Sequence, residues 1–165
     1  MSDLDPIVAR PAVRISRQSA RYNHPYTIVM VDSDSLKIVN DKYGHPAGNR
    51  LLQMLVQCIQ AQLRETDILA RYGGDEFVCL LPETTAAGAE IVATRIRQRV
   101  EAAVLTTREK PVSSTVSMGL AAYPEHASDL ESVMERADQA LYASKTAGKN
   151  RVTVAAGRSF VAVAS

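Results

Sequence analysis

Tryptophan is missing from this chain of 165 residues, and the aromatics amount to only 5%. A stacking platform for single-stranded nucleic acid needs several exposed rings, so that class is disfavoured. Net charge is nearly absent as well: 19 Lys and Arg against 18 Asp and Glu leave +1. This argues against a protein that coats a nucleic-acid polymer, although a local basic patch can sit inside a neutral sum. Cysteine is scarce, and Cys58 and Cys79 form neither a metal motif nor a disulfide framework. Both lie in apolar stretches and read as reduced core residues of a cytosolic protein. No apolar run approaches the ~20 residues needed to span a bilayer, and the N-terminus has no signal-peptide core. The expectation is a soluble, cytoplasmic chain without membrane contact of its own.

What is present is enough apolar material for one ordinary domain: 46% hydrophobic and 22% charged residues. Residues 26–32 form a short, nearly continuous apolar run rich in β-branched side chains, which predicts a strand buried on both faces. Turn residues and a short helical pattern follow over 33–42, stopped at Gly44. Apolar residues at 51, 52, 55, 59 and 63 predict a helix over 47–63. Residues 68–72 and 76–81 read as two strands around Gly73-Gly74-Asp75, a hairpin whose glycines are expected at positive φ. A long helix is expected from about 85 to 104, a loop over 105–111 and a strand over 112–123. After a second loop come a helix over 130–145, ended by Gly148, and a last strand over 151–155. The order β-α-α-β-β-α-β-α-β predicts an α/β fold with a mixed central sheet flanked by helices.

The domain is drawn at 24–156, with a basic lead-in segment over 1–23 and a tail over 157–165. In the lead-in, Arg10, Arg14, Arg17 and Arg21 share one face of a helix expected after Pro11. A solvated face is the favoured reading; a phosphate-facing stripe, or a lead-in from an upstream domain, is the sharper one.

Three carboxylates carry the chemistry. Asp32 ends the first buried strand, and Asp75 and Glu76 sit at the hairpin tip. If that strand lies beside the hairpin, all three converge. Hard oxygen ligands with backbone carbonyls nearby suit Mg²⁺ or Mn²⁺. Two such ions about 3.5–4 Å apart can clamp the attacking and leaving oxygens of a phosphoryl transfer. For Asp32 alone, a solvated acid at a strand end is the better reading. For Gly-Gly-Asp-Glu between two apolar strands it is not, because a turn does not need a second acid followed directly by Phe77.

Arg71-Tyr-Gly-Gly-Asp-Glu-Phe77 resembles the signature of the GGDEF domains, the diguanylate cyclases. Asp32-Ser-Asp-Ser-Leu-Lys-Ile-Val-Asn-Asp-Lys-Tyr-Gly-His-Pro-Ala-Gly48 resembles the family's D-x-D-x-x-K-x-x-N-D-x-x-G-H-x-x-G stretch. Thr115–Ala121, Ala137–Lys145 and Gly148-Lys-Asn150 resemble its central strand, last helix and following turn. The similarity covers roughly 24–154. It implies a fold like the palm of nucleotide cyclases and polymerases. It also implies condensation of two GTP into cyclic di-GMP and two pyrophosphates, between the facing sites of a homodimer.

By that resemblance, Asp32, the carbonyl of Ser33 and Asp75 hold two Mg²⁺ or Mn²⁺ ions. Glu76 supports them, and Asp75 is the base for the 3′-hydroxyl. Lys37 stabilises transition-state charge, and the amides of Ser35 and Leu36 receive phosphate at a helix N-terminus. Lys145 and Lys149 grip the β- and γ-phosphates; as plain helix-end cations they would be favoured anyway. Asn40 binds guanine, and His45 shapes a turn. Arg64-Glu-Thr-Asp67 resembles the family's inhibitory R-x-x-D site for cyclic di-GMP, with Arg95 as a further ligand.

The chain departs from the pattern at four places, one of which, Ser35-Leu36 for a common aromatic-containing pair, concerns a role that is mainly backbone. Asn49 stands where the family usually has Asp, and an amide offers guanine one acceptor and one donor instead of two acceptors. Lys149 replaces the usual Arg, which keeps the charge and loses the bidentate fork. The family's D-x-L-T-G-L-x-N-R entry motif is echoed only faintly by Asp5-Pro-Ile-Val-Ala-Arg10. Two functions therefore stand side by side: a product-inhibited diguanylate cyclase, or a weakly active or inactive domain that serves as a cyclic di-GMP receptor.

Overall fold

The apolar run becomes β1 (Tyr26–Ser33), the middle strand of a five-stranded sheet. It pairs antiparallel with β3 (Glu76–Pro82) on one side and β6 (Val116–Tyr123) on the other. β2 (Ile68–Arg71) flanks β3 antiparallel, and β7 (Val152–Val154) runs parallel to β6, giving the order β2-β3-β1-β6-β7. This computed structural model describes residues 6–157.

Strand alternation sorts the core into two halves. Val29, Val31, Phe77, Cys79 and Leu81 pack with α2 (Leu36–Tyr43), α3 (His45–Gln60) and α4 (Ala86–Ala102), through Val39, Leu51, Leu55 and Ile96 among others. Ile28, Met30, Val78 and Leu80 face the other way, toward Ala12 of α1 (Pro6–Tyr22) and Val133, Ala137 and Leu141 of α5 (Leu130–Thr146). Asp32 continues the even-numbered series and so emerges on the α5 side. Gly119 of β6 lies directly beneath α5: a Cβ there would come within 2.0 Å of the Leu141 amide nitrogen and 2.4 Å of the Ala137 carbonyl oxygen. Only glycine permits that approach.

The mixed sheet flanked by helices is the architecture expected, and Gly44 and Gly148 end their helices at φ +87° and +118°. Four details differ. The lead-in helix begins at Pro6 rather than after Pro11, which it contains. Its four arginines are exposed while Ala12 and Ser19 turn inward, a solvated face. The 105–111 loop is a hairpin of β4 (Val104–Thr106) and β5 (Pro111–Ser113), with Leu105 buried. The Thr107 hydroxyl closes it, accepting from the amides of Glu109 and Lys110 at 3.3 and 3.1 Å. The strand expected over 112–123 is consequently two, because β5 pairs with β4 whereas β6 joins the main sheet. Finally, neither Gly73 nor Gly74 adopts a positive φ. Their use is openness: nothing lies within 4 Å of a Cβ built on Gly74. Asp5 and residues 158–165, and with them the start of the entry motif and nearly all of the tail, lie outside the described residues.

Candidate active site

Asp32 stands directly across from Glu76 on β3 and Ser117 on β6. The Ser33 amide donates to the Asp75 carbonyl at 3.1 Å, so the hairpin tip is held against the end of β1. Arg71 tightens that tip, its guanidinium donating to the carbonyls of Gly73 and Gly74 at 3.0 and 2.5 Å. The backbones of Asp32, Asp75 and Glu76 are therefore adjacent. Their carboxylates do not close into a ready cage: among the described residues no three Asp, Glu, His or Cys side chains group as metal ligands.

A cation nevertheless sits at the centre. The Lys145 ammonium, reaching down from α5, lies 3.1 Å from Asp32 Oδ2, 3.1 Å from the Ser33 carbonyl oxygen and 2.9 Å from Asp34 Oδ1. The other Asp32 oxygen, Oδ1, is buried without a hydrogen-bond partner. Burial pushes the Asp32 carboxyl up to about 6 despite Lys145, and the charges of Asp75 and Glu76 add to the rise. Glu76 is raised too, by burial first and then by Asp138 and Asp75. For Asp34 burial works against ionisation, yet hydrogen bonds from Ser117, Thr115 and Lys145 outweigh it and hold the carboxyl below its ordinary range. For Lys145 burial also works against the charge, yet Asp34 and Asp32 together outweigh it and raise the ammonium above its ordinary range. An orphaned carboxylate oxygen, and an all-oxygen donor set already gathered around a positive charge, fit a hard divalent cation.

The remaining expected ligands differ in how they are held. The amides of Ser35 and Leu36 are engaged, donating to the Ser33 hydroxyl at 3.3 and 3.2 Å. A phosphate at the start of α2 would take the place of that hydroxyl. Lys37 is exposed in the first turn of α2. Asn40 packs against Gly48, where a Cβ would fall 1.7 Å from the Asn40 amide oxygen, so the glycine makes room for this side chain. Asn49 is exposed on α3 and lines a cavity of about 570 Å³ with Leu52, Gln53, Arg71 and Phe77. His45 is exposed at the start of α3. Lys149 is exposed at φ +64° in the turn after α5, its amide donating to the Ser144 carbonyl at 2.9 Å.

Arg64 and Asp67 are turned toward each other and the protein. The Asp67 carboxylate, 3% exposed, accepts from the Arg64 amide at 2.7 Å and its guanidinium at 3.3 Å. The guanidinium also donates to the Pro82 carbonyl at 2.9 Å and the Thr84 hydroxyl at 2.7 Å. Arg95 is exposed on α4. Asp34 received no role from the sequence, yet it is the most densely bonded carboxylate of the site. The one signal for it was its place as the second acid of the Asp32-Ser-Asp34 triplet.

A mixed sheet whose central strands present acidic residues beside a lysine-bearing helix is the palm-like fold of the nucleotide cyclases. The family described as "Diguanylate cyclase, GGDEF domain" matches residues 10–151, and the chain belongs to it. It is 42% identical over 128 residues to diguanylate cyclase A of Treponema denticola, covering 78% of this chain and 34% of that protein. With diguanylate cyclase DgcP of Pseudomonas aeruginosa the identity is 35% over 159 residues, or 92% of this chain and 24% of the relative. The chain thus spans about a third or less of these curated relatives. The GGDEF domain of DgcB from Caulobacter crescentus in complex with c-di-GMP matches with TM-score 0.80 at 33% identity, covering 86% of this chain and 84% of that one. Diguanylate cyclase SiaD from Pseudomonas aeruginosa, in complex with its activator SiaC, gives 0.84 at 30% identity, covering 90% and 57%.

Proposed function

We propose that this chain is the catalytic domain of a diguanylate cyclase, joining two GTP molecules into cyclic di-GMP with release of two pyrophosphates. The observation that supports this most is the cation-ready end of β1, where Asp32 Oδ2 and the Ser33 carbonyl share the Lys145 charge and Asp32 Oδ1 is left bare. Asp32, the Ser33 carbonyl, Asp75 and Glu76 would hold Mg²⁺ or Mn²⁺, which supplies charge neutralisation for the triphosphate and the attacking oxygen. Asp75 takes the proton of the 3′-hydroxyl. The freed oxygen bonds to the α-phosphorus of the other GTP, and the bond to the pyrophosphate oxygen breaks; repeating this on the second GTP closes the ring. Each subunit of a homodimer presents one GTP, so the reaction needs two copies face to face.

The rest of the site positions the nucleotide, which in such a reaction matters more than covalent help. Lys145 and Lys149 hold the β- and γ-phosphates, the amides of Ser35 and Leu36 meet phosphate oxygens, and Lys37 balances transition-state charge. Asn40 and Asn49 face guanine. Arg64 and Asp67, with Arg95, bind the product and feed back on synthesis. Incubation with GTP and Mg²⁺ or Mn²⁺ tests the proposal: cyclic di-GMP and pyrophosphate are expected in a ratio of one to two. Binding of cyclic di-GMP without turnover would instead establish a receptor, the reading favoured by the amide of Asn49 where two acceptors suit guanine.

A further inference from the structure

We propose that Asp34 is a positioning residue for the triphosphate: its buried carboxylate keeps the Lys145 ammonium beside the nucleotide and pins the turn that carries Lys149. This rests on the reading of Lys145 as a phosphate ligand.

Lys145 is shared by two carboxylates, and the two differ. Asp32 has an oxygen to spare and, in the proposed reaction, gives its charge to a divalent cation. Asp34 has nothing to spare. Its Oδ1 accepts from the Ser117 hydroxyl at 2.6 Å and from Lys145 at 2.9 Å. Its Oδ2 accepts from the Thr115 hydroxyl at 2.7 Å and the Asn150 amide at 3.1 Å. A carboxylate offers about four acceptor sites, and these partners fill them. The side chain is 5% exposed. Asp34 is thus unsuited to be a metal ligand and suited to be a fixed counter-charge. When Asp32 is claimed by a cation, the ammonium stays tethered to Asp34 and turns toward phosphate.

The bond to Asn150 has a second effect. Lys149 and Asn150 have φ of +64° and +49°, two successive left-handed residues that carry a Cβ. Such a turn persists only when its surroundings hold it. Asp34 grips the Asn150 amide, and Arg97 grips the Asn150 side-chain oxygen at 3.1 Å. One carboxylate therefore sets both lysines.

A double-mutant cycle tests this, read by calorimetry with a GTP analogue bearing a methylene bridge between the α- and β-phosphates, in Mg²⁺. Lys145→Met should weaken binding about tenfold, the scale of one lost charge-assisted contact. Asp34→Asn should weaken it by a similar factor, and the double variant should bind no more weakly than Lys145→Met by more than about threefold, the share left for Lys149. Wild-type affinity in Asp34→Asn overturns the proposal, as does full additivity, which is what a scaffold role would give. Wild-type affinity in Lys145→Met instead overturns the phosphate reading underneath it. Should Asp34→Asn lack a native circular dichroism spectrum, the Thr115→Val, Ser117→Ala variant, which loosens the carboxylate but keeps its charge, takes its place in the cycle under the same criteria.

Discussion

Two clusters of opposite charge lie at the two ends of the β3 strand, and they are built in contrary ways. Around Lys145, one carboxylate is saturated and the other, Asp32, keeps a buried oxygen with no partner and a carboxyl raised to about 6. Around Arg64, the guanidinium reaches a carboxylate, a carbonyl and a hydroxyl, and Asp67 is folded onto its own neighbour's backbone. The first cluster carries electrostatic tension that an incoming cation would relieve. The second leaves no buried side-chain atom unpaired: Asp67 is engaged, and the guanidinium of Arg64, 57% exposed, makes these bonds through Nη2. Ion pairs by themselves therefore do not mark a site; the unpaired atom within one does.

The sharpest way to break this contrast is Asp75→Asn. It removes a charge from the tense cluster without touching a core contact, so turnover should fall at least about hundredfold with melting little changed. Product formation at the wild-type rate would end the metal reading. At the satisfied cluster, Arg64→Ala should weaken cyclic di-GMP about tenfold to hundredfold while initial turnover stays near wild type. Calorimetry beside a full progress curve reads both, and undiminished binding would place the product elsewhere. A smaller effect is expected at the guanine end, where Asn49→Asp restores two acceptors. GTP should bind up to about tenfold tighter and ATP little changed, in a titration of both nucleotides; a weaker GTP complex would mean that the pocket has adapted to the amide.

The smallest effect concerns stability. The folded-state pKa of Asp32, about 6, lies above its ordinary 3.8. Between those values the folded chain binds more protons than the unfolded one, so stability falls as pH rises through that window. Above pH 6 the full cost is present. Asp32→Asn avoids it and should melt higher than the wild type at pH 7.5, by about 2–6 °C, with the gap closing toward pH 4. An unchanged gap from pH 4 to 7.5 would show that Asp32 is relaxed rather than tense.

Much of this is legible in the sequence. The buried strands β1 and β3 announced themselves as apolar runs, and the helices as periodic ones, because burial writes directly into residue type. The β4–β5 hairpin did not, since three-residue strands are too short to show alternation. Asp34 stays silent in the sequence for a different reason: its partners Thr115, Ser117 and Asn150 are 81, 83 and 116 residues away, and only the fold brings them together. The motif named Arg64 and Asp67 as well, yet the anchoring of Arg64 depends on Pro82 and Thr84 across the hairpin, which a spacing rule does not encode.

Gly119 carries no side chain, yet it sets how near α5 lies to the sheet. A Cβ at this point would come within 2.0 Å of the Leu141 amide nitrogen, and α5 carries Lys145 one turn beyond the contact. A methyl group there would act as a shim. It would push the helix away from the sheet, and the ammonium would be lifted off Asp32 and Asp34 together. The reach of a lysine is thus calibrated by a side chain that does not exist.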